Sequence, residues 1–138
     1  MIRFVLDASV VLSWLIDHPT SPYATYVKQL LLKGDEAIVP PLWELEIANG
    51  LVKTERRGML TPSDSATLLQ NLDVVLRSIE ITSRNASMKY VLSIARTFGL
   101  SAYDAVYLDL AREEHLPIAT LDLDLAAAAK RAGIPLLS

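Results

Sequence analysis

Four acidic residues stand where their neighbours leave acids little ordinary work. Asp7 interrupts the apolar N-terminal segment from Phe4 to Ile16, where an unpaired ionised carboxylate is costly to bury. Glu46 lies in the mostly apolar stretch Leu42-Trp43-Glu44-Leu45-Glu46-Ile47-Ala48, so at least one of its two glutamates is a candidate to face inward. Asp104 closes Ser101-Ala102-Tyr103-Asp104, and Asp122 follows Thr120-Leu121. Carboxylates gathered in one place repel each other strongly unless a cation neutralises them. Hard oxygen donors in a chain with no cysteine suit Mg2+ or Mn2+. Such an ion activates water and stabilises the charge that develops on a phosphodiester during hydrolysis.

Each acid also has a structural explanation. Asp7 is placed to cap a helix beginning near Ser9, and Glu46 taken alone is an ordinary solvated helix residue. Ser101 to Asp104 matches a capping box, in which the acid reaches back to the cap's N–H. The same helix N-terminus would also favour a carboxylate that must stay ionised. Asp122 and Asp124 flank Leu123. The spacing gives the capping of the last helix to Asp124, which leaves Asp122 at a strand end with Thr120 able to orient it.

The elements that must carry these residues alternate. Strands are predicted at Ile2–Asp7, Ala37–Val39, Ile79–Ile81, Pro117–Leu121 and Ile134–Leu137. Helices are predicted from Ser9 to Ile16, Tyr23 to Lys33, Leu42 to about Arg57, Thr61 to about Arg77, Asn85 to Phe98, Ser101 to Glu114 and Asp124 to Ala132. Gly34, Gly58, Gly99 and Gly133 stand at helix ends, and Thr61-Pro62-Ser63-Asp64 is a helix start. This alternation implies an α/β fold, three layers with a central, mostly parallel sheet of about five strands. Ligands of such sheets bind beyond the carboxyl ends of the strands, where Asp7 and Asp122 both fall.

At 138 residues the chain suits a single domain, 1–138, large enough to bury a core without staples. It has no internal repeat. The absence of cysteine excludes disulfides, thiolate zinc and cysteine nucleophiles. The apolar N-terminus superficially resembles a signal peptide, but Asp7 sits inside it and no small-residue cleavage site follows. No window approaches a membrane span, so a soluble, cytoplasmic protein is expected. A net charge of -3 argues mildly against a general nucleic-acid binder, though discounting the four acids as metal ligands leaves a slightly positive remainder. Hydrophobic residues make up 51%, which favours a partner or second subunit covering apolar surface. His18 at a turn and His115 at a helix end fit no catalytic role.

In Val5-Leu6-Asp7-Ala8-Ser9, Glu46-Ile47-Ala48-Asn49-Gly50-Leu51, Ser101-Ala102-Tyr103-Asp104-Ala105-Val106-Tyr107-Leu108 and Ala119-Thr120-Leu121-Asp122, the chain resembles the PIN-domain family. More narrowly, it is similar to the VapC-type toxin ribonucleases of bacterial and archaeal toxin–antitoxin pairs. The four fragments occur in order and together span essentially the whole chain. The resemblance implies a Mg2+- or Mn2+-dependent endoribonuclease that is neutralised by a cognate VapB-type antitoxin packing near the early helices. It also implies a homodimer that aligns two active sites. By motif, Asp7, Glu46, Asp104 and Asp122 carry over as the acidic site, with Ser9, Thr120 and Asn49 as polar support. Asp124 either assists the metal indirectly or only caps its helix. In that reading Asp7, Asp104 and Asp122 hold one or two ions, and Glu46 completes the set or orients water.

Lys53 and Arg57 lie seven and eleven residues beyond Glu46 on the same helix. They are candidate phosphate contacts, or simply a basic helix end that complements the dipole. Arg84, Lys89 and Arg96 read as surface charge, and Trp14 and Trp43 as packing residues. Phosphoryl transfer to Asp7 is a rival chemistry, but Ala8 and Ser9 supply no partner acid and no lysine ends a later strand. A non-catalytic RNA- or protein-binding PIN-like module is the other alternative.

Overall fold

The computed structural model describes residues 1–138. Its order is β1 (Arg3–Leu6), α1 (Ala8–Ile16), α2 (Pro22–Leu32), β2 (Glu36–Val39), α3 (Leu42–Arg56) and α4 (Pro62–Leu76), then β3 (Ile79–Ile81), α5 (Met88–Phe98), α6 (Ala102–Glu114), β4 (Ile118–Ala119) and α7 (Leu123–Arg131). The sheet runs β3-β2-β1-β4 and every pairing is parallel. Parallel neighbours need crossovers, and the helices supply them on both faces. α2 and α4 pack on β2 and β3, while α6 packs on β1 and β4 and carries α5 and α7 beside it.

β1 is central, and Phe4, Val5 and Leu6 are wholly inaccessible, as expected of a strand covered on both sides. Each such side chain contributes roughly 1.5–3 kcal/mol by leaving water. The central position also means that β1 and β4, at opposite ends of the chain, are hydrogen-bonded neighbours with Leu6 opposite Ala119. α3 crosses α1 closely because Gly50 has no side chain: a Cβ there would stand 2.5 Å from Leu12 Cδ2.

Four strands form, not five. Ile134–Leu137 makes only an isolated parallel bridge, Ile118 to Leu136. Pro135 has no N–H to extend a ladder, and the tail is instead held from the side, where the Tyr23 and Tyr26 hydroxyls donate to the carbonyls of Leu137 and Ser138. β4 is likewise shorter than the Pro117–Leu121 expected, because the Leu121 N–H turns to Ser9 Oγ at 2.9 Å. α5 begins at Met88 and not at Asn85. The preceding segment is anchored by Arg84, whose N–H donates to Thr82 Oγ1 and whose guanidinium reaches Asp109 at 2.9 Å. Arg84 is thus not loose surface charge: with Arg112 at 2.8 Å it neutralises Asp109, which is 1% exposed. No helix is long and apolar enough to cross a membrane.

Candidate active site

The carboxyl ends of β1 and β4 deliver Asp7 and, through the turn that follows β4, Asp122. Asp7 is 4% exposed and occupies the N-cap position of α1, yet its side chain makes no cap hydrogen bond. Its Oδ2 accepts two hydroxyls instead, from Ser9 at 2.6 Å and Thr120 at 2.7 Å. Oδ1 has no hydroxyl partner. Burial pushes the Asp7 carboxyl up, the two hydroxyls pull it down, and the charge of Asp122 pushes it up again.

Asp122, not Asp124, caps α7: its Oδ1 accepts from the Leu125 N–H at 3.0 Å. The capping expectation is therefore corrected by two residues, since the helix begins at Leu123 and needs its third N–H satisfied. Asp124 is exposed in the first turn of α7. Thr120 does not hold the Asp122 carboxylate. It accepts from the Asp122 N–H at 3.0 Å while giving its own proton to Asp7.

Asp104 sits in the first turn of α6. Ser101 Oγ accepts from the Asp104 N–H at 3.1 Å, but the reciprocal half of the expected capping box is absent. Both carboxylate oxygens of Asp104 remain free of side-chain partners. Burial, followed by the charges of Asp122, Asp7 and Asp124, raises its pKa to about 6. Glu46 is half-buried on α3 and accepts at Oε1 from the Tyr107 hydroxyl at 2.6 Å. Burial raises it most, the Tyr107 hydroxyl lowers it, and the charges of Asp7 and Asp104 raise it further.

The acids named from sequence thus fall in one electrostatic neighbourhood. As placed, no three Asp, Glu, His or Cys side chains are close enough to form a tight metal cage. Mg2+ keeps several waters and takes only one or two carboxylates directly, so an open arrangement agrees with its habits. The donor set is also right: hard oxygens only, no nitrogen or sulfur, and mutual repulsion that a cation would relieve. These residues fit such an ion.

The other candidates divide. Ser9 and Thr120 are integral, joined to Asp7 and lying 3.4 Å from each other. Asn49 is exposed and lines a cleft with Glu46, Leu42, Leu45 and Tyr103. Lys53 and Arg57 are exposed and make no ion pair. Trp43 is buried, and the Trp14 indole N–H donates to the Ala24 carbonyl, so packing accounts for both. His18 and His115 are exposed. Tyr107 is the participant that residue types and spacing did not single out. Its place at Asp104 plus three, one turn along α6, was the available signal.

Comparison with known proteins agrees with this architecture. The PIN domain model matches residues 4–131. Ribonuclease VapC3 of Pyrobaculum aerophilum is 27% identical over 124 residues, spanning 90% of this chain and 92% of its own length. Among solved structures, PAE2754 from Pyrobaculum aerophilum superposes with a TM-score of 0.71 at 24% identity, covering 92% of this chain and 84% of that one. FitAcB from Neisseria gonorrhoeae gives 0.65 at 19% identity, covering 100% and 97%. Both structural likenesses speak for the fold alone. The family match runs from the first strand through the last helix and takes in all four acids, so the chain belongs to the PIN domain family.

Proposed function

We propose that the chain is a Mg2+- or Mn2+-dependent endoribonuclease acting as the toxin of a toxin–antitoxin pair. One observation carries the site assignment. Asp7, Glu46 and Asp122 each have one carboxylate oxygen anchored by a hydrogen bond and the other without such a partner, while Asp104 keeps both free. Anchoring fixes direction and the free oxygens supply ligands, which is how a polar site is prepared before its ion arrives. The likeness to ribonuclease VapC3 supports RNA as the substrate.

Asp7, Asp104 and Asp122 are the residues that would hold one or two ions, with Glu46 completing the set or orienting water. An ion held there supplies Lewis-acid chemistry, acidifying water and offsetting charge on the phosphate. Ser9 and Thr120 keep Asp7 directed by donating to Oδ2, and their hydrogen bonds oppose the rise that burial imposes on its carboxyl. Lys53 and Arg57, unpaired on the helix that carries Glu46, serve as phosphate contacts.

The apolar residues Leu45, Met88, Tyr90, Leu92 and Tyr103 are exposed on α3, α5 and the start of α6. Covering them favours a homodimer beside the acids, and a VapB-type antitoxin covers further apolar surface near the early helices. The test is direct. Protein freed of antitoxin is incubated with structured and single-stranded RNA in Mn2+, Mg2+ or EDTA, beside Asp7→Asn. Metal-dependent cleavage lost in Asp7→Asn is expected. Cleavage that survives EDTA or the substitution refutes the mechanism, and binding without cleavage in either metal favours a non-catalytic binding module.

A further inference from the structure

Tyr107 is fully buried on α6, so its hydroxyl needs a partner inside the protein. It is spent on Glu46, at 2.6 Å, a length usual for an O–H donating to a charged oxygen. This is the one hydrogen bond that joins α3 to α6. The two helices belong to different parts of the fold: α3 packs on α1, whereas α6 packs on α5, β1 and β4. α6 supplies Asp104 and, one turn later, the donor that constrains an acid from α3. A glutamate on a helix surface has several rotamers open to it, and the phenol removes that freedom on one oxygen only.

We propose that Tyr107 is a positioning residue for Glu46: its hydroxyl occupies Oε1 and holds Oε2 available to the ion or to the attacking water. The inference rests on the carboxylate site proposed above. An ordinary buried tyrosine would affect stability alone, whereas this one should affect what Glu46 does.

The experiment compares wild type with Tyr107→Phe, Glu46→Gln, the double variant and Tyr23→Phe. Tyr23 also donates a part-buried hydroxyl hydrogen bond, to the Leu137 carbonyl at 2.6 Å, but belongs to no acid. Mn2+ affinity is read by calorimetry and RNA cleavage by kcat and KM, with folding checked by circular dichroism. Tyr107→Phe should bind Mn2+ roughly 10-fold more weakly and lose roughly 10- to 100-fold in kcat with KM nearly unchanged. The double variant should be no worse than Glu46→Gln, and Tyr23→Phe should lower Tm alone. Should Tyr107→Phe fail to fold, Glu46→Asp keeps the charge but draws it away from the phenol, and carries the same expectation. Wild-type affinity and kcat in Tyr107→Phe, or losses that multiply in the double variant, overturn the role. A wild type that neither binds Mn2+ nor cuts RNA overturns the functional reading, and this one with it.

Discussion

Removing a negative charge from Asp104 should stabilise the metal-free protein. The folded state raises this carboxyl from 3.8 to about 6, through burial first and then through the charges of Asp122, Asp7 and Asp124. A raised acid is held protonated to higher pH in the folded than in the unfolded chain. Its penalty is therefore absent below the ordinary carboxylate range and grows as pH rises from about 4 to about 6. The full shift corresponds to at most about 3 kcal/mol, which solvent screening at a half-buried site cuts to roughly 2 kcal/mol. Asp104→Asn also gives up a favourable charge at the α6 N-terminus, at a cost of about 0.5 kcal/mol. The net expectation is a gain of roughly 1.5 kcal/mol at pH 7.5 in EDTA, shrinking toward zero near pH 4. Urea melts of both proteins across that range measure it. Mn2+ should stabilise wild type more than the variant and so narrow or reverse the order at pH 7.5. An Asp104→Asn protein less stable than wild type at pH 7.5 in EDTA, or an advantage indifferent to pH, would refute the reasoning.

Other substitutions probe the frame around the acids. Ser9→Ala removes one donor to Asp7 Oδ2 and strands the Leu121 N–H; it should cost about 1–2 kcal/mol in a urea melt and roughly 10-fold in cleavage. Thr120→Val breaks the second donor and should show a similar kinetic loss. Asp109→Ala releases Arg84 and Arg112. Both arginines reach solvent, so the loss should stay near roughly 2 kcal/mol, with faster proteolysis between Thr82 and Ser87 as its signature. Gly50→Val drives side-chain atoms into Leu12 and should destabilise by about 1–3 kcal/mol, displacing Glu46 and lowering kcat as well.

Periodicity and end signals made most elements legible. The apolar β1 run, the Thr61 capping box and the Gly99 left-handed cap, at φ 66°, all lie where their residues place them. Misreadings came where one side chain answered a distant partner. Nothing local in Thr82 to Ser87 reveals that Arg84 is claimed by Asp109 on α6. The local pattern of Asp122-Leu123-Asp124 offers two caps, and the helix starts at Leu123, behind the first. Asp7 looked like a cap because its neighbours suit one, but its oxygen is taken by Thr120 from the far end of the chain. Tyr107 was not singled out by its type or spacing; it is core everywhere except at its hydroxyl.

The pairing of β1 with β4 has a consequence for when the chemistry can exist. Asp7 is made early in synthesis, Glu46 and Asp104 later, and Thr120 and Asp122 arrive only with the final strand and turn. Asp7 has no Thr120 to hold it until β4 slots in beside β1. A growing or truncated chain that lacks this last segment has neither its full set of acids nor the second of the two hydroxyls that hold Asp7. The candidate site is therefore complete only once β4 and the turn after it are in place, and the activity proposed for it depends on that last segment.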